Sequence, residues 1–196
     1  MTVRRLLGAV LAGGLSRRYG RPKHAEVVGG TPMVQRAVAL LAPVTEQVVV
    51  VSSRPVDGLD GALVIPDLIE GKGPLGGLHS ALHHATNAGL DGVFLLAGDL
   101  PLVDAHVVGT LTETPGHAAL APLRGAEGIE PLCAAYSVDV LAAVERRMES
   151  DDLSLHALFR EVDGHSLEMG ARAFLNVNTP ADRDRAEAAI RERESE

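Results

Sequence analysis

From Leu6 to Leu11 the chain is apolar at every position but Gly8, and it runs straight into Ala12-Gly13-Gly14. A strand apolar on consecutive positions offers water no face, so it belongs in the middle of a parallel sheet covered by helices on both sides. The rest of the sequence keeps that pattern. Pro32 to Leu41 carries apolar residues at helical spacing with proline in the first turn, and Gln47 to Val51 is a second buried strand. Ala62 to Ile65 is a short strand ended by Pro66, Gly76 to Ala88 a helix, and Gly92 to Ala97 a strand that stops at Gly98-Asp99-Leu100-Pro101. Helical patterns cover Val103 to Leu111, Val138 to Met148 and Leu155 to Val162, while Ala118 to Ala121, Leu132 to Ser137 and Phe174 to Val177 are strand candidates. Pro180 to Arg193 is a charged C-terminal helix with Thr179 as N-cap and Asp182 in its first turn. The alternation predicts an α/β fold, a three-layer sandwich around a mostly parallel sheet, in one domain over residues 1–196.

Ligands of open α/β sheets collect beyond the carboxyl ends of the strands. The loop after the first strand is Gly13-Gly14-Leu15-Ser16-Arg17-Arg18-Tyr19-Gly20-Arg21-Pro22-Lys23. Its glycines let main-chain N–H groups approach phosphate oxygens, and Arg17, Arg18, Arg21 and Lys23 place four cations within seven positions. In a chain of net charge −8 such a concentration points to an anionic ligand. Asp99, at the mouth of the fourth strand, offers a hard oxygen ligand for Mg²⁺ bridging phosphate oxygens, and Asp67 sits at the end of Val64-Ile65-Pro66-Asp67.

Composition narrows the alternatives. With 3% aromatics and no Trp, the core must be built from Ala, Val and Leu, which suits helices lying close on a sheet. The acidic balance argues against nucleic acid as a partner, and no apolar run approaches membrane-spanning length. Cys133 is the single cysteine, so an intramolecular disulfide and a cysteine zinc cluster are excluded, and a buried small hydrophobe is its expected role. A cytoplasmic setting fits, since the N-terminus lacks a signal-peptide pattern. Gly71-Lys72-Gly73-Pro74-Leu75-Gly76 matches G-x-G-x-x-G formally, but it stands away from the preceding strand and contains Pro74, so it is not a dinucleotide fingerprint. His79, His83 and His84 share one helix. The His79–His83 pair could face a metal, yet no adjoining cysteine or acid lies at ligand spacing, so packing or exposure is expected.

Taken together, these residues resemble the nucleotidyltransferases, and within them the bacterial molybdenum cofactor guanylyltransferases, the MobA family. Leu11 to Lys23 corresponds to the opening L-A-G-G-x-S-x-R-M-G-x-D-K. Pro66-Asp67 with Gly73-Pro74-Leu75-Gly76-Gly77-Leu78 is similar to the second nucleotide motif, Gly98-Asp99-Leu100-Pro101 to the metal motif, Glu130-Pro131-Leu132 to the usual P-L segment, and Asn176-Val177-Asn178-Thr179-Pro180 to the signature N-x-N-T-P. The resemblance implies a Rossmann-like sheet of the nucleotide-diphospho-sugar transferase type and transfer of GMP from GTP to molybdopterin, with release of pyrophosphate. It assigns Leu11, Ala12, Gly13, Gly14, Lys23, Asp67 and Asp99 to GTP, Asp99 to Mg²⁺, Lys23 and Arg18 with Asp99 to catalysis, and Asn176 and Asn178 to the acceptor. It further implies a monomer or small homo-oligomer and a molybdoenzyme maturation partner.

This chain departs from the family pattern at Tyr19, where Met is usual, and at Pro22, where Asp precedes the lysine. Val51-Ser52-Ser53 replaces an asparagine that some relatives carry near the base, and Asp151-Asp152 stands where relatives can place an arginine toward the pterin. The alternatives are a related enzyme, using CTP or a sugar phosphate, and a non-catalytic nucleotide-binding maturation partner. Relatives that use CTP tend to read L-A-A-G in place of Leu11-Ala12-Gly13-Gly14, and retention of Lys23 and Asp99 speaks for catalysis.

Overall fold

The structure is a computed structural model describing residues 5–12, 26–114 and 116–194. Its elements run β1 (Leu6–Leu11), β2 (Val27–Val28), β3 (Thr31–Pro32), α1 (Met33–Leu41), β4 (Gln47–Val51), β5 (Ala62–Ile65), α2 (Gly73–Asn87) and β6 (Gly92–Ala97). They continue with α3 (Ala105–Glu113), β7 (Ala119–Leu123), β8 (Cys133–Ser137), α4 (Leu141–Met148), α5 (Leu155–Glu161), β9 (His165–Glu168) and α6 (Pro180–Glu194).

Seven strands form one sheet in the order β5-β4-β1-β6-β8-β7-β9. The first four run parallel, with Leu7 to Leu11 of β1 in register with Gln47 to Val51 on one side and Val93 to Ala97 on the other. β8 runs against both β6 and β7, and β9 returns parallel to β7. The unbroken apolarity of β1 and β6 is thereby explained: both lie inside the sheet with both faces covered, and Leu7, Ala9, Val10, Val93, Phe94 and Leu95 are fully buried. One face packs Leu7, Ala9, Val49 and Leu95 against α2, α4 and α5, and the other packs Val10, Val50, Phe94 and Leu96 against α1 and α3. Each Val or Leu so buried is worth about 1.5–3 kcal/mol relative to exposure. The α/β sandwich with a mostly parallel sheet is therefore the observed architecture.

The differences from expectation are local. α2 starts at Gly73, three residues early, because Pro74 fits a first turn where its missing N–H is no loss. The segment before α4 is a 3-10 turn, Val138–Val140, closed by the Ser137 hydroxyl accepting from the Asp139 N–H at 3.2 Å. Phe174 to Val177 is not a strand: Ala171–Phe174 forms a 3-10 turn, and the last strand is β9 instead. Phe174 and Val177 are apolar because they are buried, 2% and 1% exposed, under loop backbone that pairs with no strand. The sequence also hides the β2–β3 hairpin, whose turn takes Gly29 and Gly30 to φ 59° and 76°, positive values that two glycines adopt freely.

Candidate functional site

The carboxyl ends of the inner strands are joined rung by rung along one edge of the sheet. The Ser52 N–H donates to Ile65 O at 3.0 Å, Ala12 N–H to Val51 O at 3.1 Å, Gly98 N–H to Leu11 O at 3.0 Å and Ala97 N–H to Leu132 O at 2.7 Å. Leu11, Ala12 and Asp99 accordingly stand at adjacent strand ends. Asp67 lies at the end of β5, three strand spacings from β6, or about 14 Å at the usual separation. Its loop is tied to α2: the Ser80 hydroxyl donates to Gly76 O at 3.0 Å and accepts from the Leu68 N–H at 2.8 Å, fastening the 66–72 loop onto the helix. The start of that helix closes on β1, since a Cβ at Gly77 would come within 2.6 Å of a Leu11 methyl. Gly13, Gly14, Arg18 and Lys23 lie outside the described residues.

Asn176 and Asn178 join the same edge through the backbone. The Val177 N–H donates to Asp99 O at 3.0 Å, which inserts Val177 into the core beside Leu102 and leaves the flanking asparagines together on the other side. Both line a groove of about 660 Å³ whose walls also carry Arg124, Arg172 and Arg185, each paired with an acid of the same lining, Glu127, Glu192 and Asp182 respectively. Below the groove, Thr179 and Asp182 form a reciprocal cap on α6: the Thr179 hydroxyl accepts from the Asp182 N–H at 3.2 Å, and the Asp182 carboxylate accepts from the Thr179 and Asn178 N–H groups at 2.9 and 3.0 Å. Hydrogen bonds from Thr179, Arg185 and Asn178 hold the Asp182 carboxyl down to about 2. The N-x-N-T-P signature therefore works as a single device in which the asparagines face the groove, the valine anchors and the threonine starts the helix.

Carboxylates near the strand ends shift the other way. Burial, reinforced by the charge of Glu70, raises the Asp67 carboxyl above its ordinary value. Burial also raises Glu130, which is 5% exposed, and the charge of Asp99 adds to the effect; the Arg124 guanidinium and the Leu132 N–H oppose it. Arg124 bridges Glu127 at 3.3 Å and Glu130 at 3.5 Å. The Glu130-Pro131-Leu132 turn is pinned from inside by the buried Tyr136 hydroxyl, which donates to Pro131 O at 2.8 Å. Sequence reasoning identified that segment as a motif but missed its buried acid and the arginine that meets it, because β8 brings the acid to Asp99 from a distant part of the chain. Cys133 is fully buried, and its thiol is pushed far up by the loss of water, in keeping with a packing role.

His79 and His83 of α2 face each other with Nε2 atoms 3.1 Å apart, and α4 supplies the acid that local spacing lacked, Glu145, 3.4 Å from His83. No helix among the described residues is long and apolar enough to cross a membrane.

The MobA-like NTP transferase domain matches residues 8–166. A probable molybdenum cofactor guanylyltransferase of Opitutus terrae is 35% identical over 189 residues, covering 92% of this chain and 94% of the relative. The molybdenum cofactor guanylyltransferase of Desulfosudis oleivorans is 31% identical over 195 residues, covering 94% and 95%. Among solved structures, molybdopterin-guanine dinucleotide biosynthesis protein A of Archaeoglobus fulgidus superposes with a TM-score of 0.76 at 25% identity, over 95% of this chain and 100% of that one. A glycine-started helix against β1, an aspartate at the mouth of β6 and an N-x-N-T-P segment bonded to it are thus set in a chain that belongs to the MobA-like NTP transferase family of nucleotidyltransferases.

Proposed function

We propose that this chain transfers GMP from GTP to the terminal phosphate of molybdopterin. An oxygen of that phosphate bonds to the α-phosphorus of GTP as the bond from the α-phosphorus to the bridging oxygen breaks, and pyrophosphate leaves with that electron pair. The observation that carries the reading is the position of the Gly98-Asp99 turn. It is hydrogen-bonded on one side to Leu11, in the donor motif, and on the other to Val177, in the acceptor motif. Relatives named as guanylyltransferases over nine-tenths of the chain support the choice of nucleotide and acceptor.

The parts divide naturally. Leu11, Ala12 and the loop containing Gly13 and Gly14 cradle the triphosphate, with Lys23 and Arg18 offsetting its charge. Asp67, about 14 Å along the edge from Asp99, serves the nucleoside end. Asn176 and Asn178, in a groove where three arginines stand paired with three acids, receive the acceptor phosphate and pterin. The half-buried Asp99 carboxylate, with Glu130 adding negative potential nearby, fits a hard divalent cation such as Mg²⁺. When bound, Mg²⁺ supplies charge neutralisation on the phosphates. No covalent enzyme intermediate is needed: positioning and fixed charge lower the barrier. The reaction is placed in the cytoplasm, with a maturation partner receiving the product.

Purified protein given GTP, Mg²⁺ and molybdopterin is expected to release pyrophosphate and form the guanine dinucleotide. Full turnover with CTP and none with GTP overturns the assignment.

A further inference from the structure

We infer that His79, His83 and Glu145 form a binding site for a transition-metal ion of the Zn²⁺ class, clamping α2 to α4. Beyond nucleotidyl transfer and independent of it, the inference rests on the flank of the sheet where these helices pack through Leu78, Leu82, Val144 and Met148. His79 and His83 stand one turn apart on α2, so their rings project from the same face. The rings meet edge to face with centroids 4.5 Å apart, their Nε2 atoms are separated by 3.1 Å, and a Glu145 oxygen lies 3.4 Å from His83. One atom from each of the three residues falls within 4.8 Å of the other two. Nitrogens held about 2.1 Å from a tetrahedral ion are themselves about 3.4 Å apart, so small side-chain movements bring these atoms to ligand spacing.

The chemistry of the donors selects the ion. Two imidazoles and one carboxylate suit Zn²⁺, Co²⁺ or Ni²⁺, whereas Mg²⁺ prefers oxygen throughout. A packing role alone does not account for His79. It is 6% exposed, and its Nδ1 finds no hydrogen-bond partner among the described residues. Two neutral imidazoles sharing one proton between their Nε2 atoms leave that nitrogen orphaned in either tautomer, a penalty an apolar residue at position 79 would avoid. Burial and the neighbouring His83 favour neutral His79, which is the ligand form. His83 and Glu145 are partly open to solvent, so the remaining coordination positions can take water.

The test uses the full chain, free of any affinity tag and stripped with chelator, titrated with Co²⁺ in the absence of nucleotide. Expected is a visible ligand-field band saturating at one Co²⁺ per chain, displaced by equimolar Zn²⁺ but not by millimolar Mg²⁺. His83→Ala and Glu145→Gln should each weaken Co²⁺ binding at least about tenfold. Glu145→Gln keeps the size of an exposed side chain and so tests the site even if His83→Ala folds poorly. His84→Ala, whose ring bonds Gln47 at 3.0 Å, should keep full affinity. The double variant His117→Ala/His165→Ala, removing the stacked pair elsewhere, should do the same, as should Asp99→Ala. Absence of the band in the native chain overturns the inference, as does undiminished binding in both His83→Ala and Glu145→Gln, or loss of the band on removing the stacked pair or Asp99.

Discussion

Carboxylates at the strand-end edge and those on the helical flank live under opposite conditions. At the edge, Asp67 and Glu130 are pushed up, mainly by burial, with a neighbouring carboxylate adding to each. On the flank, Glu161 is held down by hydrogen bonds from Arg147 and Arg146, and at the start of α6, where a helix rather than a strand supplies the donors, Asp182 is held down by Thr179, Arg185 and Asn178. Flank acids reward folding with well-made polar contacts. Edge acids are kept at some cost in stability, the usual mark of groups that await a ligand. The sheet tolerates this because its inner strands bury apolar side chains on both faces.

The comparison breaks first at Asp99. Asp99→Ala is expected to lower pyrophosphate release by roughly 10²–10³-fold, the scale of one electrostatic group in a reacting site. The backbone bond to Val177 survives the change, and equal activity would erase the distinction between edge and flank. Next in size is Gly92→Ala, at the seam between β6 and β8. A Cβ there would lie 2.4 Å from the Tyr136 carbonyl oxygen, and backbone cannot swing aside, so urea unfolding should show a loss of about 1–3 kcal/mol. Thr179→Ala removes the helix cap under the acceptor groove and should cost about 1 kcal/mol in the same measurement, with KM for the acceptor rising more than KM for GTP.

The smallest effect is on acid sensitivity. A carboxyl whose folded value is depressed contributes stability above its unfolded value, near 3.9, and loses it as pH falls toward the folded value of about 2. Melting curves between pH 5 and pH 2 should therefore flatten in Asp182→Asn relative to the native chain. The raised edge acids have the opposite sign: their contribution is complete below the unfolded value and declines as pH rises through the folded one. Asp67→Asn should remove a small decline on that rising side and leave the acid limb unchanged. An acid limb unaltered in Asp182→Asn would show that its cap adds nothing.

Much of this was legible before any coordinates. Buried strands such as Gln47–Val51 and Gly92–Ala97 announce themselves because residues covered on both faces must all be apolar. The Thr179 cap was readable because its signal is local, a hydroxyl three residues before a carboxylate. β9 was not readable: His165-Ser166-Leu167-Glu168 is an edge strand, its pairing with β7 fixed by backbone rather than by side-chain pattern. Phe174 and Val177 misled for the converse reason, being buried without belonging to the sheet. Glu130 beside Asp99 and Glu145 beside His83 are products of topology, since each acid arrives from an element far along the chain. Asn176 and Asn178 follow from the motif, and the structure adds the groove they line and the arginine–carboxylate pairs across it.

One reversed strand shapes what the reactive edge can hold. Because β8 runs backward between two forward neighbours, it presents its entry there instead of its exit, so the nine residues 124–132 that join it to β7 fold over the rim as a bend closed by its own backbone hydrogen bonds. Lengthening or trimming that bend would reset the reach of Arg124 and Glu130 while every strand stayed in register. The size of the groove beside Asn176 and Asn178 is thus adjustable without moving the ends of β1 and β6.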